Sequence, residues 1–464
     1  MIAYLNESAM GGNRLFGTSG IRGIVGQDLT IDLCHKVAQA LGTSLAPQSS
    51  VCLATDTRQS RELIQETVTS GLLSTGINVV DAGILPTPAL AWLTREMGFA
   101  TGIMLTASHN PPQYNGIKLF NKDATGYSRS QELELERLYL AHKFRRGKGT
   151  LEQAHNVKQR YLAFIKHKFP LSRSNHNLKL VVDPGNGAAS GFAPYIFTHM
   201  GLNVIPLNDA PDGLFPGRNP EPREDTLQGT VEFLRQRDAD LAICFDGDAD
   251  RVVFCDREGF LGFDPMIAFI ARLMVQQTGR KKVATTIETG RLLDLALKHL
   301  DVEIVRGKVG DVNVAYLARE LGAAIGVEPV GVYILPPAGY YPDSFLAALF
   351  LLNQLNNVAE IRKWLKSLPP LFRGKSKIPC PPNLKTRVAE LCQAEAARFE
   401  PLQSSTLDGI RLDFPHSWLL IRPSGTEPII RVQAEAESVS SMKQLMTQGI
   451  NLVKEAITQS GGPT

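Results

Sequence analysis

Three short stretches carry residues whose types and spacing could do chemistry. The first, TASHNPPQYNG at residues 106–116, sets Ser108 beside His109 and stiffens the chain behind them with Pro111 and Pro112. No acid stands next to the serine in sequence, and the G-x-S-x-G elbow of the hydrolases is absent, so acyl hydrolysis fits poorly. The second, FDGDADR, puts Asp246, Asp248 and Asp250 at alternating positions directly after the apolar run AICF. Three carboxylates so spaced repel one another unless a cation sits among them, and oxygen-only ligands suit a hard ion such as Mg²⁺. A solvated acidic turn is the alternative; the apolar runs on both sides, which pin the loop to a strand end, favour the ion. An EF-hand does not fit, because glycine falls at the second loop position, Arg251 at the sixth and Arg257 at the twelfth.

The third stretch, RPSGTEPIIR, groups Arg422, Ser424, Gly425 and Thr426, with Arg431 beyond. A guanidinium, two hydroxyls and a glycine that bares backbone N–H groups make a phosphate cradle. A plain Pro-Ser-Gly turn is the other reading. RLFGTSGIRG near the start offers similar ingredients in Thr18, Ser19, Gly20 and Arg22. Together these parts fit a serine that carries a phosphoryl group, with a metal beside it to offset charge as the group moves. His109 reads equally as a structural histidine or a proton carrier. Lys118, entering the apolar strand NGIKLF, reads as cleft-facing, whereas Arg58 and Arg61 in DTRQSR read as surface charges at a helix start. DPGNGAASG at residues 183–191 gives G-x-G-x-x-S after a strand, with Asp209 near the end of the next. Ser190 in the third position and a proline before the first glycine make this a weak dinucleotide fingerprint, and a tight strand-to-helix turn is preferred.

Such groups need strand ends to hold them. Residues 51–83, 178–209 and 281–311 share one pattern: apolar strand, polar or glycine-bearing loop, helix, turn, second strand. The first strands show no strict alternation, as expected when helices cover both faces. Units of this kind form right-handed parallel crossovers, with ligands beyond the carboxyl ends of the strands. A charged helix in SRSQELELERLYLAHKFRRGKG precedes the second unit, and CDREGFLGFDP separates the second from the third. LKSLPPLFRGKSKIPCPPN, rich in Pro and Lys, reads as a linker into a smaller α+β domain. That domain takes GIRLDF, SWLLIRPSG and IIRVQAEAE as strands and closes with a helix from about Ser438.

A chain of 464 residues exceeds one hydrophobic core, so several domains are expected. Lys plus Arg is 49 and Asp plus Glu 46, a formal net charge of +3, which argues against a nucleic-acid scaffold. The six cysteines form no C-x-x-C pair and read as buried, reduced thiols. Neither a signal peptide nor an apolar run of roughly 20 residues is recognisable, so a cytoplasmic protein without a membrane partner is expected. Oligomeric state has no signal here.

With these stretches in order, FGTSGIRG, TASHNPPQYNGIKLF, DPGNG, FDGDADR, GVEPVGV and RPSGTEPIIRV, the chain resembles the α-D-phosphohexomutases over nearly its whole length. The resemblance implies three similar doubly wound α/β domains plus a smaller C-terminal α+β domain around one cleft. The expected boundaries are 1–155 with the phosphoserine loop, 156–258 with the metal loop, 259–370 with the sugar loop and 371–464 with the phosphate loop. It implies that Ser108 carries the phosphoryl group and that Asp246, Asp248 and Asp250 hold Mg²⁺ with a phosphoserine oxygen. Arg422, Ser424, Gly425 and Thr426 would hold the non-reacting phosphate, with Arg251 and Glu328 among the substrate-binding residues. Arg22, His109 and Lys118 would stand near the reacting group, Lys118 as a candidate acid/base. The implied reaction interconverts hexose 1- and 6-phosphates, glucose or mannose first, through a hexose 1,6-bisphosphate that also serves as activator. One departure stands out: the family's sugar loop reads G-E-x-S-G-H or close to it, whereas here Val330 and Val332 replace a polar residue and a histidine. A hexose-1,6-bisphosphate synthase and a non-catalytic sugar-phosphate sensor are therefore kept as alternatives.

Overall fold

The structure is a computed structural model that describes residues 15–171, 178–355, 357–425 and 427–462. Its first three sheets repeat one strand order. In the first unit Ser50–Thr55 pairs in parallel with Asn78–Ile84 on one side and Thr101–Leu105 on the other, and Thr101–Leu105 pairs antiparallel with Tyr114–Asn121. In the second, Lys179–Asp183 lies between Asn203–Pro206 and Leu241–Phe245, both parallel, and Val252–Asp256 adds antiparallel to Leu241–Phe245. In the third, Lys282–Thr286 lies between Glu303–Gly307 and Ile325–Glu328, with Val332–Ile334 antiparallel to the latter. The strand–helix–strand repeat seen in the sequence is thus the parallel half of each unit.

The antiparallel half matters more for chemistry. In every unit a short turn joins the third strand to the fourth, and these turns carry Ser108, the three aspartates and Val330 respectively. The fourth domain differs: Phe372–Pro379, Ile429–Ala436, Ser417–Pro423, Ile410–Asp413 and Gln403–Ser405 form one antiparallel sheet, packed under the helix Val439–Gln459. Ser438 caps that helix by accepting from Ser441 N.

Two sequence expectations change. The Pro- and Lys-rich stretch read as a linker contains Phe372–Pro379, an eight-residue strand along one edge of the last sheet. Its charged side chains suit an edge strand, which composition alone cannot separate from a linker. CDREGFLGFDP is likewise no mere spacer: Gly259–Phe260 turns back on Val252–Asp256 as the edge of the second sheet. The first three units also share one continuous apolar core, which takes in Ala54 and Met104, Val182 and Phe245, and Val283 and Val327. Phe345 helps to fuse it, with its ring centroid 5.1 Å from that of Phe245. It lies on Ser344–Gln354, a helix whose run of apolar residues is buried from Ser344 to Leu352, as expected of a core helix. All six cysteines are buried and free, and no described helix is long and apolar enough to cross a membrane.

Candidate active site

Ser108 sits in the turn between Thr101–Leu105 and Tyr114–Asn121 with a left-handed backbone, φ 51°. That conformation is uncommon for serine and needs support from its surroundings. Ser108 N donates to Thr106 Oγ1 at 2.8 Å, and Thr106 Oγ1 donates to Asp56 Oδ2 at 2.6 Å. Arg58, fully buried, donates to the carbonyl oxygens of Ser108, Asn110, Pro111 and Tyr114 at 2.5–2.9 Å. The reading of Arg58 as a surface charge is therefore corrected. It lies just past the carboxyl end of Ser50–Thr55, ahead of the helix that starts at Arg61, and turns inward. Arg61 does stay at the surface, paired with Glu62.

The metal loop meets this turn face to face. Ser108 Oγ donates to Asp246 Oδ2 at 2.7 Å and lies 3.3 Å from His109 Nδ1. A Cβ on Gly247 would stand 2.4 Å from the Ser108 carbonyl oxygen, so only glycine lets the two loops close this far. Asp246, Asp248 and Asp250 are all buried, with one oxygen of each within 4.8 Å of the others. Asp248 Oδ2 accepts from Thr87 Oγ1 at 2.7 Å and Lys118 Nζ at 3.0 Å, and Lys118 Nζ also donates to Asp250 Oδ2 at 2.5 Å. Asp248 Oδ1 and Asp250 Oδ1 have no hydrogen-bond partner. Buried carboxylate oxygens without partners are costly, and a divalent cation bound by oxygen would satisfy them, so the donor set fits a hard ion.

Charge is crowded here. Burial, then Asp250 and Asp248, push the Asp246 carboxyl well above the usual range. Asp248 moves the other way: burial opposes ionisation, but Lys118 and Thr87 outweigh it. Lys118 is likewise penalised by burial yet held firmly protonated by Asp248 and Asp250. His109 is pulled far below its ordinary pKa by Arg251, burial and Arg22, and is therefore neutral. Arg22 reaches Asn110 Oδ1 at 3.3 Å; Arg251 places Nε 3.8 Å from Asp250 and 4.0 Å from Asp246. Three cations thus surround one serine and three carboxylates, a field suited to a transferring phosphoryl group.

The sugar loop adjoins the metal loop, since Val252 N donates to the Gly331 carbonyl at 2.9 Å. Glu328 is buried and accepts from Gly310 N at 2.8 Å. Val332 does not line the cleft: it is 1% exposed and packs in a core cluster with Val314, Ala315 and Ala318. No sugar hydroxyl would be buried against it. Asp343, a conceivable substitute contact, is also spoken for, capping its helix through Leu346 N and accepting from Tyr161 Oη at 2.8 Å.

Burial, with Asp311 next, pushes Glu328 from 4.5 up to about 8. A carboxyl whose folded pKa is raised contributes stability fully below the unfolded value, and this is lost as pH climbs through the folded one. Glu328→Gln is neutral at every pH. The wild-type melting temperature should therefore fall relative to that of the variant between about pH 5 and about pH 8. A constant difference across that window would mean that Glu328 ionises normally.

The phosphate loop forms a second cluster, docked on the third unit. Arg422 pairs with Glu288 at 3.2 Å and Asp408 at 3.0 Å, and Glu288 also contributes to the field on Glu328. Ser424 Oγ accepts from Glu427 N at 3.1 Å, Gly425 is exposed with open space at its Cα, and Thr426 lies outside the described residues. Sequence reasoning missed Asp56, Thr87, Thr106, Glu288 and Asp311, the last accepting from Ser19 Oγ at 3.2 Å. The shared position of the three turns is the signal that would have directed attention to their neighbours.

Known proteins share this architecture. The phosphoglucomutase/phosphomannomutase alpha/beta/alpha domains I, II and III match residues 13–146, 159–259 and 263–372, and the C-terminal domain of that family matches 384–451. A probable phosphoglucosamine mutase of Pyrococcus abyssi is 38% identical, covering 96% of this chain and 99% of its own. A phosphoglucomutase/phosphomannomutase of Thermococcus kodakarensis is 36% identical over 96% and 99%. Among solved structures, a phosphoglucomutase/phosphomannomutase family protein from Burkholderia thailandensis superposes with a TM-score of 0.85 at 27% identity, covering 96% of this chain and 97% of that one. The chain belongs to the α-D-phosphohexomutase family. It is a phosphohexomutase, an isomerase that works as an intramolecular phosphotransferase.

Proposed function

We propose that the protein interconverts the 1- and 6-phosphates of a hexose by way of a phosphoryl group on Ser108 and a hexose 1,6-bisphosphate that turns around in the cleft. The observation that carries this reading is Ser108 Oγ at 2.7 Å from Asp246 Oδ2, among three buried carboxylates, buried Lys118 and the partly buried Arg22 and Arg251. Mg²⁺ held by Asp246, Asp248 and Asp250 would supply Lewis-acid charge neutralisation when bound. Arg22, Arg251 and Lys118 steady the equatorial oxygens of the moving group. His109, with Nδ1 3.3 Å from Ser108 Oγ, and Lys118, bonded to Asp248 and Asp250, are the two side chains placed to move a proton at the reacting oxygens. Burial of this centre keeps water from the phosphoserine.

Glucose or mannose is what the sequence suggested. The names carried by the relatives add glucosamine, and all three sugars belong in the first assay. The division at 155, 258 and 370, a cytoplasmic setting, and small sugar phosphates as the only partners, without nucleic acid or membrane, complete the proposal. Purified protein with Mg²⁺ and each hexose phosphate, followed for both isomer and bisphosphate, tests it directly. Absence of isomer from every sugar would defeat the mutase reading.

A second reading has one observation in its favour. With Val330 partly buried against the apolar cluster and Val332 within it, the loop would hold a sugar through Glu328 and backbone alone. A bisphosphate held this weakly would leave before turning, and bisphosphate accumulating faster than isomer would mark a synthase.

For the distal phosphate, Arg422→Lys keeps charge but loses the two-pronged fork. Losing one charge-assisted bond, about 1.5–3 kcal/mol, should raise KM roughly 10- to 150-fold for the 1- and 6-phosphate alike. A loss confined to one isomer would mean that this loop does not serve both orientations.

A further inference from the structure

Two motifs are unused by the proposed reaction: TDTR at residues 55–58 and DPGNG at residues 183–187. The structure brings them together behind the active serine. Thr57 Oγ1 donates to the Asn186 carbonyl at 2.9 Å. Asn186, with φ 61°, also organises the loop beyond it. Its Nδ2 donates to the Ala210 carbonyl at 2.8 Å, its Oδ1 accepts from Gly217 N at 2.9 Å, and its carbonyl accepts from Asp212 N at 3.1 Å. That loop lays Gly213 directly on the Arg58 backbone, where a Cβ would stand 2.4 Å from Gln59 N and 2.5 Å from Thr57 O. It also sets the Phe215 ring 5.3 Å from the Arg58 guanidinium carbon, a cation–π contact.

The other side of the same turn holds the metal loop. Ala188 N donates to the Gly247 carbonyl at 2.8 Å, and a Cβ on Gly187 would stand 2.5 Å from that oxygen. Beneath it Arg218 is bound to Asp183 Oδ2 at 2.9 Å and donates to the Phe245 carbonyl at 2.6 Å, immediately before Asp246. One turn therefore touches the clamp behind Ser108 and the loop that carries the aspartates. Arg58 spends every guanidinium nitrogen on this work, with Nε on Asp56 and the other two on four carbonyls of residues 108–114. None of its nitrogens is left for a substrate.

We propose that Arg58, braced by the 183–187 turn and the Gly213–Phe215 loop, is the positioning residue of the phosphoryl-transfer centre, holding Ser108 in its left-handed conformation and in register with the metal loop. Arg58 acts through Ser108, so the inference rests on Ser108 carrying the phosphoryl group. A planar fork fits four carbonyls at fixed angles; an ammonium on a flexible stem cannot hold them all. Misplacement of reacting atoms by about 1 Å can cost on the order of 10²-fold in rate.

The test compares wild type, Arg58→Lys, Arg58→Met and Gly213→Ala at equal concentrations of folded protein, as judged by circular dichroism and thermal melting. Gly213→Ala shifts the Arg58 backbone while leaving its guanidinium intact, so it and the lysine variant decide the matter if Arg58→Met does not fold. Glucose 1,6-bisphosphate serves as donor, and the rate at which one phosphoryl mass appears on Ser108 is read by peptide mass spectrometry. Steady-state turnover of glucose 1-phosphate is followed in parallel. The proposal expects labelling and kcat to fall roughly 10²-fold per folded molecule, with KM within about twofold of wild type. Labelling at the wild-type rate in the folded variants, or a raised KM at unchanged kcat, overturns the positioning role and leaves the mutase reading standing. A wild-type protein that takes no label on Ser108 overturns both.

Discussion

Ser108→Ala should fold and yet lose phosphoryl transfer, with kcat falling on the order of 10⁶-fold, the scale seen when a covalent nucleophile is removed. In the proposed reaction the hydroxyl is the atom that accepts and returns the group, and neighbours cannot substitute for it. His109 Nδ1, at 3.3 Å, is held neutral but is aimed at the serine oxygen rather than standing in its place. A stability cost accompanies the change. Asp246 Oδ2 loses the hydrogen bond it accepts at 2.7 Å in a buried site, which is worth about 1–3 kcal/mol. Intact-protein mass before and after exposure to hexose 1,6-bisphosphate should differ by one phosphoryl group in wild type and by nothing in the variant. Label persisting in Ser108→Ala would move the carrier elsewhere.

Asp248→Asn should also cost activity, less steeply and by a different route. The substitution keeps one oxygen and the size of the side chain but deletes the charge that Lys118 uses and that a bound cation would use. Breaking a buried ion pair from one side costs about 3–5 kcal/mol, because the remaining charge is left uncompensated. At about 1.4 kcal/mol per tenfold, that corresponds to roughly 10²- to 10⁴-fold if it falls on the transition state. Thr87 Oγ1 would still bond the surviving oxygen, so the local backbone should persist. Mg²⁺ affinity by titration calorimetry and kcat should fall together, and EDTA should abolish wild-type turnover. Full activity in the variant or in EDTA would remove the loop from the metal's account.

Much of this is legible in the sequence. FDGDADR could be read as a cation site because alternating carboxylates repel whatever fold surrounds them, and the apolar run ahead of it had to be a strand. RPSGTEP showed a guanidinium and bared N–H groups in the right company. Arg58, by contrast, was misread. A cation ahead of a helix is usually solvated, and nothing in DTRQSR shows that four carbonyls some fifty residues later will turn toward it. Val332 failed for a related reason: family position suggested a side chain facing the sugar, while its register opposite Glu328 and the packing of Val314 and Ala318 put it in the core.

Local chemistry is a property of residue types over a few positions, so sequence alone pointed to the three loops rich in chemistry and to the parallel crossovers of three of the four domains. Which groups meet is a matter of long-range closure. Ser108 and Asp246 stand 138 positions apart in the chain and 2.7 Å apart in space. Only the tertiary structure decided that the third-to-fourth-strand turns of three repeated units would converge, that Lys118 would lie between two aspartates, and that an arginine and an asparagine outside the site would brace it. The physical reason is that each turn is fixed by its own strands, whereas their separation is set by a shared core and by glycines such as Gly247 that permit backbones to approach within hydrogen-bonding range.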